Sequence, residues 1–264
     1  MRIGDIDVLP LSDGTFVARP EYFTTRVPET PGHPFDADGV AWLPIGCFLI
    51  RTGDRVILVD AGLGPVRQTL PHDMELVGGQ LPVALRTSGV SAADITDVIC
   101  THLHADHVGW LFDRDGNATF PTANIWFGAG DGHHFVDGPG EMFDHIRQGF
   151  RNGSVALRAL DHDHVVTAGV EIVRTPGHTP GHCAVIISSG LDRAMLVGDA
   201  ITCPVQLTEP TWRSMGDVDP PLADRTREEL WRELEDEHTI GTGAHFPELQ
   251  FGRVLTGQGR TWST

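Results

Sequence analysis

At 264 residues with an apolar fraction of 40%, the chain has the material for a sizeable core, in one large domain or two small ones. Nineteen basic against 36 acidic residues leave a formal charge of −17, which repels phosphate backbones and anionic membrane surfaces and argues against nucleic-acid or membrane partners. No run of 18 apolar residues offers a membrane-spanning helix, and the opening residues alternate as a strand does rather than forming the apolar core of a signal peptide, so a soluble cytoplasmic protein is expected.

Residues 3–11 predict a first strand, with Ser12-Asp13-Gly14-Thr15 as a turn back. From Arg19 to Pro44 the texture changes to scattered prolines, charges and aromatics, including Tyr22, the only tyrosine in the chain. A long irregular stretch of this kind suggests a lid or a dimer contact at 19–44. Residues 45–50 and 55–59 flank Thr52-Gly53-Asp54 and read as a β-hairpin, whose second strand runs into Asp60-Ala61-Gly62. Across 65–88, apolar positions broken by Pro71, Gly78, Gly79 and Pro82 fit one or two short helices. Ser91 and Asp94 have capping-box spacing ahead of a strand at 97–101.

That strand delivers the most informative stretch of the chain, Thr101-His102-Leu103-His104-Ala105-Asp106-His107-Val108-Gly109. Three imidazoles and a carboxylate within six residues cannot share one regular strand face, so the backbone must curl and aim them at a common centre. Imidazole and carboxylate together suit zinc and similar first-row ions, and an open coordination position would make the site catalytic.

Further on, 124–127 reads as a buried strand and 141–147 as a helix, joined by a loop over 128–140. Strands follow at 165–166, 170–173, 184–187 and 194–197. A proline-rich segment at 204–221 precedes the clearest amphipathic helix, at 224–235, with Leu230, Trp231 and Leu234 on one face. The four cysteines, Cys47, Cys100, Cys183 and Cys203, fall singly in or beside apolar segments and read as buried, reduced thiols.

The H-x-H-x-D-H cluster, followed in order by Thr175-Pro176-Gly177-His178-Thr179-Pro180-Gly181-His182, Val197-Gly198-Asp199-Ala200 and Gly243-Ala244-His245-Phe246-Pro247, resembles the metallo-β-lactamase fold superfamily of metallohydrolases over nearly the whole chain. The resemblance implies an α/β fold, a four-layer αββα sandwich in a single domain over 1–264. It also implies that His102, His104 and His178 hold one divalent ion, that Asp106, His107 and His245 hold a second, and that Asp199 bridges them. Asp106 would in addition accept a proton in catalysis. Asp60 resembles a residue behind the ligands that fixes an imidazole tautomer. Zinc is the default, with iron, manganese and cobalt compatible with the same donors. Two ions about 3.5–4 Å apart share a water and bring its pKa toward about 7, which supplies a hydroxide nucleophile without Ser or Cys.

Within the superfamily, Gly198-Asp199-Ala200-Ile201-Thr202-Cys203-Pro204 resembles the branch of quorum-quenching lactonases and organophosphate hydrolases. Acyl-homoserine lactonases carry a Tyr three residues after the bridging Asp, where this chain has Thr202. Tyr22 could stand in only if the N-terminal loop reaches the site. The implied activity is hydrolysis of a lactone or carboxylic ester by a monomer or homodimer, with phosphotriester cleavage as a side activity. A glyoxalase-II-like thioesterase is the nearest alternative, though no Lys/Arg cluster offers a grip on glutathione and lysine is absent from the sequence. A non-catalytic metal-binding or sensor protein is the alternative of another class. Trp110, Phe112, Thr202, Trp212 and Phe246, near the ligands in sequence or large and apolar, are the candidates for the substrate pocket. His182 reads as a structural hydrogen-bonding residue, and His133, His134, His145, His162 and His164 as solvated.

Overall fold

Strands whose successive residues are all apolar must be buried on both faces, and that requirement decides the layering here. The computed structural model describes residues 1–23, 33–209, 211–256 and 260–264. Its first sheet is built from β1 (Arg2–Ile3), β2 (Ile6–Ala18), β3 (Ala41–Thr52), β4 (Arg55–Val59), β5 (Arg67–Leu70), β6 (Met74–Val77), β7 (Asp97–Ile99), β8 (Asn124–Gly128) and β9 (Ala156–Leu160), in the order β5-β6-β2-β3-β4-β7-β8-β9 with β1 beside β2. The second runs β10-β11-β12-β13-β14, from β10 (His164–Thr167), β11 (Val170–Arg174), β12 (Cys183–Ser189) and β13 (Asp192–Leu196) to β14 (Thr239–Thr242).

Alternation sends Phe48, Ile50, Ile57 and Val59 of the first sheet against Ile172, Val185, Ile187 and Leu196 of the second, forming the inner core. The opposite face of the first sheet, with Cys47, Leu49, Leu58 and Val98, packs on helices Leu81–Thr87 and Asp144–Asn152 through Leu81, Leu85, Ile146 and Phe150. On the outer face of the second sheet, Ile186 and Met195 meet Leu230, Trp231 and Leu234 at helix Pro220–Glu233. Helix, sheet, sheet and helix give the four-layer αββα sandwich. All four cysteines are buried and unpaired in it.

Several local expectations are corrected. The first strand does not turn at 12–15. It continues to Ala18, and Asp13 sits at a bulge where pairing shifts between Ser12 and Gly14, which turns its carboxylate inward. Gly14 is required there, because a Cβ would lie 1.8 Å from the Val77 carbonyl. Residues 65–88 hold one helix, preceded by the β5–β6 hairpin. His72 and Asp73 at φ +62° and +58° make its tight turn, a left-handed geometry that apolar periodicity does not report. The 128–140 connection contains a turn of α-helix, Ala129–Asp131, and a π-helical turn, Gly132–Val136. The helix expected at 141–147 begins at Asp144 and runs to Asn152, where Gly153 at φ +64° ends it. The last long helix starts earlier than 224, because Pro220 and Pro221 occupy its first turn and the Asp219 side chain accepts from the Leu222 N–H at 3.0 Å. Strands β9 and β14 and a terminal ribbon of Arg253–Thr256 with Arg260–Ser263 were not anticipated. Among the described residues, no helix is long and apolar enough to cross a membrane.

Candidate metal centre

Strands β7, β11, β13 and β14 each end just before a candidate ligand. After β7, the Asp60 N–H bonds the Ile99 carbonyl and the Cys100 N–H that of Trp126, so the neighbouring strands hold the exit of the curl. His104, extended at φ −67° and ψ 157°, then caps the single turn Ala105–Val108, which rotates Asp106 and His107 back toward His102. The second sheet contributes His178 beyond β11, Asp199 beyond β13 and His245 beyond β14.

The seven side chains converge. His104 Nδ1 lies 2.9 Å from His102 Nε2 and 3.1 Å from His178 Nε2. His245 Nε2 lies 3.4 Å from Asp106 Oδ2 and 3.3 Å from Asp199 Oδ2, while the same Asp199 oxygen is 3.8 Å from His178 Nε2. His102, His104 and His178 therefore form one group within ligating distance, Asp106, His107 and His245 another, and Asp199 stands between them. His107 Nε2 and Asp199 Oδ1 are buried, 3.6 Å apart, and without a hydrogen-bond partner. A buried imidazole nitrogen and a carboxylate oxygen facing one another in this way fit a divalent cation that takes the place of the ring proton.

The outward nitrogens of four rings are held. His107 Nδ1 meets Asp60 Oδ2 at 2.8 Å, His178 Nδ1 meets Asp217 Oδ1 at 2.9 Å, His245 Nδ1 meets the Pro44 carbonyl at 2.7 Å, and His102 Nδ1 meets Thr101 Oγ1 at 3.1 Å. Each acceptor places the ring proton on Nδ1 and leaves Nε2 free to ligate. Asp60, at φ +61°, also accepts from the Thr101 N–H at 2.7 Å and from its hydroxyl. Asp217 is in turn paired with Arg227.

Electrostatics follow burial and neighbours. Burial, with the adjacent imidazoles, pushes His102 well below the usual imidazole range, and burial with His178 brings His104 to about 3. Burial opposes ionisation of Asp106, but His107 and the His245 hydrogen bond outweigh it and lower its carboxyl to about 2. Burial likewise opposes charge on His107, yet Asp60, Asp199 and Asp106 raise it to about 9. The metal-free centre thus holds protons on its acid-flanked histidines.

A cavity of about 480 Å³ opens onto His104, Asp106, Asp199 and His245. Its wall is otherwise mostly apolar, from Phe16 of β2, the β5–β6 hairpin, Met142, Phe143 and Met215, with Glu141, Gln68 and Tyr22 as its other polar members. No lysine or arginine is among the described lining residues.

None of the five aromatic or hydroxyl side chains nominated for the pocket lines this cavity. Phe112 is buried against Phe150 and Gly149 on the outer face of the first sheet. Trp110 donates its indole N–H to Asp13 at 2.9 Å. Thr202 is fully buried, with its N–H on Gln206 and its hydroxyl turned to the Asp199 carbonyl at 3.5 Å. Phe246 packs on Trp262, and Trp212 stacks on Phe23 at 5.2 Å. Closeness in sequence to a ligand does not say which side of a curled backbone a side chain takes. The Trp212–Phe23 stack instead anchors the N-terminal segment and brings Tyr22 to the cavity, its ring against Phe16 at 4.9 Å. The lid or dimer-contact expectation for 19–44 falls partly, at 24–32, outside the described residues.

Three buried acids that support the centre were missed. Asp13 accepts from the backbone N–H groups of Leu63, Gly64, Gly79 and Leu81. Asp131 accepts from the Leu103 and Gly181 N–H groups and from the Thr179 hydroxyl, tying the two ligand loops together. Asp217, which holds His178, is the third. In sequence they look like ordinary turn or loop aspartates. His182 accepts from the Asp199 and Ala200 N–H groups at 3.1 and 3.2 Å, a structural role.

The family model described as the metallo-beta-lactamase superfamily matches residues 40–240, which takes in every candidate ligand except His245. The chain belongs to the metallo-beta-lactamase superfamily. Within it, an N-acyl homoserine lactonase of Bacillus sp. is 28% identical over 175 residues, covering 61% of this chain and 62% of that protein, so the match spans less than two thirds of its curated relative. Among solved structures, the dizinc quorum-quenching lactonase AidC, in complex with a product, superposes with a TM-score of 0.83 at 24% identity over 100% of this chain and 95% of its own. The hydrolase AbOPH gives 0.80 at 23% over 99% and 95%. At these identities the superpositions speak for the fold.

Proposed function

We propose that this superfamily member is a metal-dependent hydrolase of lactones and carboxylic esters, a single catalytic unit over residues 1–264 that works with two divalent ions, zinc first among them. The observation that carries the reading is the convergence of seven His and Asp donors at the floor of a largely apolar cavity without a lysine or arginine in its described wall. When bound, the ions supply Lewis acidity and lower the pKa of water toward neutrality. His102, His104 and His178 would hold one, Asp106, His107 and His245 the other, with Asp199 between them.

The remaining work falls to side chains of this chain. Asp106, ionised at neutral pH and open to the cavity, accepts a proton as well as ligating. Tyr22 keeps its phenol protonated, because burial and Asp199 push it well above its ordinary range, and it donates toward a substrate oxygen. The apolar wall takes an acyl or alkyl arm. A neutral phosphotriester meets the same requirements as a side substrate. A glutathione thioester is disfavoured, since its carboxylates would find Glu141 and no described cationic lining group.

The test is proton release by the zinc-reconstituted protein on a γ-lactone, an aryl ester, an aryl phosphotriester and S-lactoylglutathione, beside His104→Ala. Turnover led by lactone or ester and abolished in the variant, with circular dichroism unchanged, is expected. Equal turnover in the variant would sink the enzyme reading in favour of a non-catalytic metal-binding protein.

A further inference from the structure

His178 and Asp199 stand on separate turns, one after β11 and one after β13, yet Asp199 Oδ2 lies 3.8 Å from His178 Nε2. Helix Pro220–Glu233 touches both turns from behind. Its Ala223 backbone lies so close to Gly177 that a Cβ there would come within 2.3 Å of the Ala223 nitrogen, and the Thr226 hydroxyl donates to the Pro176 carbonyl at 2.5 Å. The segment leading into the helix adds two backbone bonds, from the Val218 N–H to the His178 carbonyl at 2.9 Å and from the Asp219 N–H to the Gly177 carbonyl at 3.0 Å. Arg227, on the same helix, reaches both turns with one side chain. Its Nε donates to the Ala200 carbonyl at 3.0 Å, and its Nη2 lies 3.4 Å from Oδ2 of Asp217, whose Oδ1 meets His178 Nδ1 at 2.9 Å.

Among the described residues Arg227 is the one buried arginine, at 5% exposure, and lysine is absent from the chain. A buried ion pair returns about as much as its desolvation costs, so packing of the helix on the sheet does not by itself call for one. The planar guanidinium fixes the directions of its donors, which a flexible ammonium does not. Here Nη1 faces Asp224 Oδ1 at 3.4 Å, one turn back on the helix, while Nε and Nη2 span the Ala200 carbonyl and Asp217. The Asp199 turn is thereby held on two sides, through its N–H groups by His182 and through the Ala200 carbonyl by Arg227.

We propose that Arg227 is a positioning residue that sets the spacing between His178 and Asp199, and so governs the ion held by His102, His104 and His178. This rests on the two-ion reading above. Arg227 does not line the cavity. It acts through Asp217, which orients the His178 ring, and through the Ala200 carbonyl, which fixes the turn that carries Asp199. The ion held by Asp106, His107 and His245 shares only Asp199 with this arrangement and keeps its own supports, Asp60 behind His107 and the Pro44 carbonyl behind His245.

The experiment titrates zinc against a chromophoric chelator in wild type, Arg227→Met, Arg227→Lys and Leu234→Ala, each checked for folding by circular dichroism at the titration temperature. Methionine keeps an unbranched apolar stem and removes both donors. Lysine keeps a cation beside Asp217, which guards against unfolding, but as a point charge it does not serve both acceptors. Leu234→Ala loosens the far end of the same helix, where Leu234 packs on Gly241. The ion that His104→Ala abolishes is expected to bind about 100-fold more weakly in Arg227→Met and about tenfold more weakly in Arg227→Lys. Leu234→Ala is expected to melt at a lower temperature with both affinities as in wild type. Unchanged affinities in a folded Arg227 variant, a loss no larger at that ion than at the other, or the same loss in Leu234→Ala would overturn the role of Arg227 and leave the two-ion reading standing. Uptake of fewer than two ions by wild type would overturn both.

Discussion

Asp60→Asn separates the tautomer argument from the fold. Asp60 presents Oδ1 to the Thr101 N–H at 2.7 Å and Oδ2 to His107 Nδ1 at 2.8 Å, buried and with its backbone in the left-handed region. Asparagine tolerates that backbone and keeps an oxygen for Thr101. Its NH2 then faces His107 Nδ1 and donates to it, so the ring proton moves to Nε2, the nitrogen 3.6 Å from Asp199 Oδ1. The metal-facing lone pair is replaced by an N–H. Loss of such an orienting partner costs roughly 10- to 100-fold in metal affinity, about 1.4–2.7 kcal/mol. The loss should fall on the group of Asp106, His107 and His245, whereas His102 and His178 keep their outward contacts with Thr101 and Asp217. Titration against a chromophoric chelator is therefore expected to show two sites of similar strength in wild type, and in the variant one site retained and one weakened. Two sites of unchanged affinity in a variant with native circular dichroism would refute the reasoning.

Other outcomes follow from the same geometry. Asp13→Ala strands four backbone N–H groups, three of them buried, and the Trp110 indole N–H, and orphaned donors at about 1–3 kcal/mol each predict a loss of at least about 3 kcal/mol. A chain of this size should then melt roughly 6–12 °C lower, and a shift under about 2 °C by calorimetry would count against it. In the metal-free protein, His107 is raised from an ordinary 6.5 to about 9, so its protonated form stabilises the fold fully below pH 6.5, and that contribution is lost as pH rises through about 9. Ligation needs the neutral ring, so metal uptake should release a proton and tighten between pH 6.5 and 9. An indicator-dye titration at pH 7.5 with no proton release would contradict this. Tyr22→Phe should lower kcat on lactones by roughly 10–100-fold with metal content unchanged, and a kcat equal to wild type would remove the phenol from the reaction.

Much of the candidate centre is legible in the sequence because a metal-ligating pattern is local and chemically narrow. His102, His104, Asp106 and His107 are crowded too closely for any regular element, and His178, Asp199 and His245 each sit in a short glycine-containing turn that follows, or nearly follows, an apolar strand. Strands buried on both faces announce themselves as apolar runs, so the hairpin of β3 and β4 and the strands β12 and β13 could be anticipated, and with them a layered α/β fold.

The tertiary structure alone decides the rest, because the remaining contacts join residues far apart in the chain. Asp13 reaches Leu63, Gly79 and Trp110 only through a bulge that no periodicity reports, and Asp217 meets His178 across 39 positions. The cavity wall combines β2, the β5–β6 hairpin, the Glu141–Phe143 stretch and Met215, so Gln68 and Tyr22 line the cavity while Phe112 and Phe246, nearer to the candidate ligands in sequence, turn into the core. Side-chain direction at a curl depends on a single backbone rotation, which sequence spacing does not record and packing of the finished layers does.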